Sequence, residues 1–347
     1  MQITFIDDSL HFDGGTPGER PLGSAEKSLV GLADALATCG HDVVVINRCL
    51  ETREIRGVTW LPWDAPRPPS QDVAVAFRKA GLLGEIEQAD HMGLWMWGGC
   101  KPLNKPANQA LLDKYRPTLV YVSEAQRRGW KPWREFKEVV VTPAVGQAYL
   151  GASDLGAEPS AIALTTTHPA HGLREIVRLW EEGIHPLHPD AQLHVYSAAL
   201  ARAKETGEVD VKLAAAFEDI CNAERAGVLV KKPLPDPEMA AVYANAKVHL
   251  YPVFQGEMYC GTLAESQASG VPAVVNATDG NAGTAGERVR NGQTGYLAPD
   301  ESAFVNLTGE ILAEDSGMYR TLHRDALTLQ RQRSWQAAAI EFEALWR

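Results

Sequence analysis

Paired cysteines are missing from this chain. Its five cysteines (Cys39, Cys49, Cys100, Cys221 and Cys260) are an odd number, widely spaced and without a Cys-x-x-Cys pair. That pattern disfavours a disulfide framework or a cysteine zinc site, and a reducing cytoplasm is the compartment expected. Long apolar runs are missing too, since none approaches the roughly 18 residues of a membrane span. The first ten residues carry Asp7 and Asp8 and no basic side chain, which is unlike a secretory signal. Positive charge is scarce: 33 Lys and Arg against 44 Asp and Glu leave a net charge of −11. Such a balance disfavours a general nucleic-acid partner. Neither internal repeats nor low-complexity tracts interrupt the chain.

What is present is ordinary globular composition, 45% hydrophobic and 22% charged over 347 residues. At roughly 150 residues per domain that length predicts two domains. The charge is unevenly shared. Residues 1–150 hold 17 basic and 18 acidic side chains, a net of −1, and the remaining 16 and 26 give residues 151–347 a net of −10. Nine of the basic residues of the first half fall between Lys101 and Lys137.

Short apolar runs alternate with helical periodicity along the whole chain. Gln2 to Ile6 reads as a strand, followed by a glycine-rich loop over residues 13–23. A helix is expected from Ser24, with Glu26 in its first turn, Leu29, Leu32, Ala33 and Leu36 on one face and Gly40 as the stop. Val43–Ile46, Asp72–Phe77, Gly93–Trp97, Thr118–Val122 and Val139–Val141 are further strands. Gly146 to Ser160, rich in Gly, Ala and Ser, is the expected linker. The alternation then restarts with strands at Ile162–Thr165, Leu193–Tyr196, Val228–Val230, Val248–Val253 and Val274–Val275. Asp236 is the expected cap of a helix with Pro237 at its first position. Met318 to Arg347 reads as helical, anchored by Trp335 and Trp346. The pattern predicts an α/β protein of two doubly wound domains, 1–150 and 151–330, with the helix at about 330–347 packing back on the first.

The densest chemical signal lies between Tyr251 and Pro299. Gly261–Ala268 reads as a short helix ended by Ser269-Gly270, directly after a strand. First-turn amides have no partner within their helix and sit at the positive end of its dipole, so such a junction suits a phosphate. Glu257 in the preceding loop and Glu265 one turn into the helix flank it. Carboxylates are repelled by phosphate, so both fit hydroxyls, and the combination describes a nucleotide-sugar.

This segment, Glu257-Met-Tyr-Cys-Gly-Thr-Leu-Ala-Glu265-Ser-Gln-Ala-Ser-Gly270, resembles the Glu-x7-Glu signature of family 4 retaining glycosyltransferases. Tyr251-Pro252 before it, Gly286-Glu287-Arg288-Val289 through Gly295 after it, and Gly23-Ser24-Ala25-Glu26 with Gly40-His41-Asp42-Val43 continue the likeness. The resemblance implies a GT-B fold, two Rossmann-like domains facing across a cleft, with an acceptor-side first domain and a donor-binding second. It implies retaining sugar transfer from a nucleotide-sugar to a glycan, lipid-linked or small-molecule acceptor, as in polysaccharide biosynthesis. Glu257 would contact the donor sugar and Glu265 the ribose. Amides around Cys260, Gly261 and Thr262 would meet the diphosphate, and Gly23 would lie near the phosphates. Neither a metal nor a cofactor is expected, the nucleotide-sugar being a substrate whose base, uracil, guanine or adenine, stays open.

One departure bears on chemistry. Where the family has an Arg and a Lys that clamp the diphosphate, this chain has Thr166 and His171. Arg174, Lys231 and Lys232 are candidate substitutes, and a protonated His171 would make activity fall as pH rises. A weak or inactive nucleotide-sugar-binding homologue and a sugar-nucleotide epimerase or phosphorylase therefore stand as alternatives. His91 is a candidate general base, since similar enzymes carry a histidine in a first-domain loop. Trp97 and Trp130 are candidate acceptor contacts, each weighed against plain core packing. The stretch Arg127–Lys137, which interleaves basic and aromatic residues, is a candidate peripheral contact with the inner face of a membrane.

Overall fold

Each half of the alternating pattern closes into its own parallel sheet. The computed structural model describes residues 1–86, 88–151 and 158–347, so the expected linker over 146–160 lies partly outside the described residues. The chain forms two compact units. One comprises Met1–Val145, Gly256–Tyr259 and Arg333–Arg347, the other Gly146–Gln255 and Cys260–Gln332.

In the first unit the strands are β1 (Gln2–Ile6), β2 (Asp42–Asn47), β3 (Arg53–Ile55), β4 (Val58–Pro62), β5 (Gln71–Phe77), β6 (Ala89–Trp95), β7 (Thr118–Tyr121) and β8 (Glu138–Val140). They order as β3-β4-β2-β1-β5-β6-β7-β8. Only β3 runs antiparallel, against β4. Ile3 pairs in register with Val43 on one side and Val73 on the other, so the order reverses between β1 and β5. Central strands are buried on both faces, as a parallel sheet requires. Helices α1 (Thr16–Glu19), α2 (Ser24–Thr38), α3 (Pro106–Tyr115) and α4 (Glu124–Arg128) connect them. Leu29, Leu32, Ala33 and Leu36 form the buried face of α2.

The second unit has β9 (Ile162–Thr165), β10 (Gln192–Tyr196), β11 (Val228–Lys231), β12 (Val248–Pro252), β13 (Ala273–Asn276) and β14 (Gly295–Ala298). Their order is β11-β10-β9-β12-β13-β14, every pair parallel. Its helices are α5 (Leu173–Leu179), α6 (Ala198–Thr206), α7 (Ala214–Asn222), α8 (Asp236–Ala244), α9 (Gly261–Ala268), α10 (Glu301–Leu312) and α11 (Gly317–Gln330). The order reverses between β9 and β12, and ligands of open parallel sheets bind beyond the carboxyl ends of the strands at such a point.

The structure differs from the sequence expectation at four places. The hairpin of β3 and β4 carries no long apolar run and shows no clear period. The terminal helix is two: Ser334 caps a new helix, α12 (Trp335–Phe342), by accepting from the Ala337 amide, and Trp335 packs over Gly31 of α2 in the first unit. Asp236 is the first residue of α8 rather than its cap, because its carboxylate accepts the Tyr149 hydroxyl at 2.7 Å. The expected boundary near 150 falls at Val145, and the short segment Gly256–Tyr259 counts with the first unit.

Candidate functional site

In the second unit the strand-order reversal brings together the end of β9, the end of β12 and the start of α9. Glycine decides how closely they approach. Gly172 precedes α5 with φ +79°, and a Cβ there would lie 2.6 Å from the Pro252 side chain. A left-handed φ is costly for any other residue, so the loop after β9 turns against β12 only because residue 172 lacks a side chain. Beside this contact is a cavity of about 280 Å³, lined by Gly172, Glu175, Pro252, Val253, Gln255, Asn276, Thr278 and Asn281.

Helix α9 follows directly. Cys260 precedes it without a side-chain cap, and its Sγ lies 3.2 Å from Thr284 Oγ1. Cys260 and Gly261 are buried, Thr262 is half-buried and Glu265 is buried one turn in. Helix geometry leaves the first-turn amides without intrahelical partners. Glu265 bears electrostatically on Tyr149 and Tyr243, whose hydroxyl pKa values are raised above the ordinary range, first by burial and then by Glu265 and Asp236.

Where a cation was expected, Thr166 stands in a neutral network. Its hydroxyl lies 2.8 Å from the Thr262 hydroxyl and 3.1 Å from His249 Nε2. His249 Nδ1 lies 2.7 Å from Ser266 Oγ, which donates to the Leu263 carbonyl at 3.1 Å. His249 is fully buried, and that burial pulls its pKa down to about 3.

His171 packs against other rings, and its charged form is disfavoured. Its ring stacks on Phe254 at 3.6 Å and lies 4.9 Å from His168. Burial, with His168 adding to it, lowers its pKa below the ordinary histidine value. A fall in activity with rising pH that came from His171 would therefore lie below the ordinary histidine range. Arg174 is held by Asp219 at 2.5 Å and Lys232 by Glu205 at 2.6 Å. Lys231 ends β11 and has no carboxylate partner among the described residues.

The remaining candidates lie in the first unit. Glu257 is half-buried in Gly256–Tyr259. Gly23 precedes α2, and a Cβ there would collide with the Glu26 carboxylate. His91 is the third residue of β6, beside Val73. It therefore sits in the amino-terminal half of a strand rather than in a loop, away from the carboxyl ends where ligands bind, which removes the reason for making it a base. Trp130 is 8% exposed, packed in a core with Leu103, Leu112 and Tyr121, and its Nε1 donates to Asn104 Oδ1 at 3.0 Å. Core packing thus accounts for Trp130, and Trp133 is the exposed aromatic of that stretch. Trp97 is half-buried, its ring 5.7 Å from Trp95 and 5.6 Å from Tyr259.

Sequence reasoning missed two clusters. His249 was hidden in an apolar strand, and a histidine inside a buried strand was its one signal. In the first unit Asp7 and Arg78 follow β1 and β5 at the strand-order reversal. Arg78 adopts φ +69°, ion-pairs with the buried Glu26 and lies 3.9 Å from Asp7. Burial raises the Asp7 pKa.

No group of three or more His, Cys, Asp or Glu side chains that would hold a metal ion occurs among the described residues. Among the same residues, no helix is long and apolar enough to cross a membrane.

Residues 160–314, a little under half of the chain, match the model of the family "Glycosyl transferases group 1". No curated protein matches the sequence. Among solved structures, sucrose-phosphate synthase from Thermosynechococcus elongatus superposes with a TM-score of 0.72 at 16% identity, covering 100% of this chain and 98% of that one. WaaG, a glycosyltransferase of lipopolysaccharide biosynthesis, gives 0.69 at 12% identity over 99% of each chain. HepE from Anabaena, in complex with UDP and glucose, gives 0.69 at 14% identity, covering 99% and 98%. At these identities the likeness shows the fold, which is GT-B. With the family's segment on that fold, the chain is an enzyme of the glycosyltransferase type.

Proposed function

We propose that the second unit binds a nucleotide-sugar and that the protein transfers its sugar to a hydroxylated acceptor with retention of configuration and without a metal. The observation that supports this best is the placement of α9. Its free first-turn amides open at the strand-order reversal directly after β12, and the buried Glu265 stands one turn behind them. In this reading the amides at Gly261 and Thr262 take the diphosphate, and Glu265 accepts bonds from the ribose hydroxyls. Glu257 accepts from the donor sugar. Backbone around residues 230–234 meets the base. The amides and the dipole of α9 carry the leaving-group charge in place of a cation pair. UDP and glucose in HepE make UDP-sugars the first donors to try; the acceptor is a glycan, a lipid-linked sugar or a small polyol.

A second reading is that the protein binds a nucleotide-sugar and transfers it slowly or not at all. It is favoured by one observation, the absence of the expected clamp: Thr166 is neutral, His171 is held below its ordinary pKa, and Arg174 and Lys232 are engaged by carboxylates. Calorimetry with UDP-, GDP- and ADP-sugars, followed by product analysis with and without acceptors, tests both. Binding with acceptor-dependent transfer supports the first reading. Binding without turnover supports the second, and a new sugar-nucleotide formed without acceptor indicates an epimerase. Failure to bind any of these donors overturns the assignment.

A further inference from the structure

The hydroxyls and imidazole behind α9 form a chain whose protons can be counted. Its four contacts run from the Leu263 carbonyl to Ser266, from Ser266 to His249 Nδ1, from His249 Nε2 to Thr166, and from Thr166 to Thr262. Each hydroxyl owns one proton, and a neutral imidazole owns one, on either nitrogen. The Leu263 carbonyl accepts only. The Tyr243 hydroxyl also faces Thr166, but it brings its own proton and leaves the count unchanged.

Two arrangements leave neither ring nitrogen of the buried His249 without a partner. In the first, Ser266 donates to Leu263, His249 Nδ1–H to Ser266, Thr166 to His249 Nε2 and Thr262 to Thr166. All four contacts are made, and the Thr262 proton points inward. In the second, Ser266 donates to Nδ1, Nε2–H to Thr166 and Thr166 to Thr262. The Ser266 bond to Leu263 is given up, and the Thr262 proton is free to point out of the half-buried start of α9. With no ligand the first makes one bond more. With an anion at the helix start the second makes a charge-assisted bond, which is the stronger kind.

We propose that Thr166, His249 and Ser266 are positioning residues, a neutral relay that reverses direction when a diphosphate docks at α9 and turns the Thr262 hydroxyl proton toward it. The relay occupies the place where a fixed cation was expected and offers a donor without adding a buried charge. It rests on the reading that a nucleoside diphosphate occupies this helix end.

The test is ¹⁵N NMR of histidine-labelled protein, free and titrated with UDP, GDP and ADP, with the matching nucleosides as controls. His249 is identified among the ten histidines by the signal lost in His249→Gln or, should that variant not fold, by the ring whose signals shift in Thr166→Val. Nδ1–H in the free protein and Nε2–H with the bound diphosphate are expected, with no change on adding nucleoside. Thr262→Val and Thr166→Val should each weaken diphosphate binding about tenfold, the double variant no further, and Thr262→Ser should restore it. A diphosphate that binds while the tautomer stays unchanged overturns the relay and leaves the donor reading standing. So does Thr166→Val binding like wild type. If none of the diphosphates binds, the donor reading fails, and the relay's occupant with it.

Discussion

The two sheets each reverse their strand order once, and the side chains at the two reversals differ in kind. Beyond β1 and β5 the first unit gathers charge: the buried Asp7 and Glu26 against the half-buried Arg78, with Lys79 and Asp8 paired at 2.6 Å beside them. Beyond β9 and β12 the second unit gathers neutral groups, the hydroxyls of Thr166, Thr262 and Ser266 around an uncharged His249. The overall charge runs the other way, since the nearly balanced half holds the charged cluster and the half at −10 holds the neutral one. Net charge therefore says little about the chemistry of a site. The excess acid of the second half is spread over exposed ion pairs such as Arg178 with Glu175, Glu182 and Glu301, and exposed pairs contribute little.

The sharpest way to break this comparison is to remove the cation paired with the buried Glu26. Arg78→Ala leaves Glu26 buried without its partner and should cost about 3 kcal/mol of stability. Chemical denaturation measures it, and a loss below about 1 kcal/mol would make the cluster an ordinary surface pair.

Glu265→Gln tests the second unit. It removes a buried carboxylate assigned to two ribose hydroxyls, and nucleotide-sugar affinity should fall by about 3 kcal/mol, roughly a hundredfold. Calorimetry gives the number, with the melting temperature showing that the variant is folded. Unaltered affinity would remove Glu265 from the site.

A smaller effect separates the clusters by pH. The folded-state pKa of Asp7 is raised above its usual 3.8, so the folded protein binds this proton more tightly than the unfolded chain. Stability must then fall as pH rises from about the unfolded pKa through the folded one. Relative to Asp7→Asn, the wild type should lose stability over that interval; a parallel pair of pH profiles would refute the assignment. His249 has the opposite sign: burial pulls its folded pKa from 6.5 down to about 3, so the second cluster makes stability rise with pH over that interval.

The smallest effect expected is none. His171 is held below the ordinary histidine pKa, so the activity profile of His171→Ala between about pH 6.5 and 8 should keep the wild-type shape. A limb present only in the wild type would restore His171 as a working cation.

Much of this was legible in the sequence. The bounds of β9 and α9 follow from a short apolar run and from a helix closed by Ser269-Gly270, signals carried by neighbouring residues. Glu265 and Thr262 can be singled out in the sequence because the spacing that marks them is local. The aromatic and basic stretch was legible only as composition: its pattern could not show that Trp130 turns into the core while Trp133 stays out. His91 likewise fell on a strand whose start lay four residues earlier than its apolar run suggested.

Alternation of period and the turn residues between elements determined, from sequence alone, that two parallel sheets would form and that a helix would open after β12. Propensity, capping and burial patterns act over a few residues and can be read from the chain. Which side chains meet behind that helix was decided only by the tertiary structure. Thr166 and His249 are 83 positions apart, and Thr166 and Thr262 are 96 apart. They touch because strand order places β9 beside β12, and no local pattern encodes which strands become neighbours. The same long-range pairing set Arg78 against Glu26 across 52 positions. A buried hydrogen bond needs both partners in place, and only the assembled sheet supplies the second.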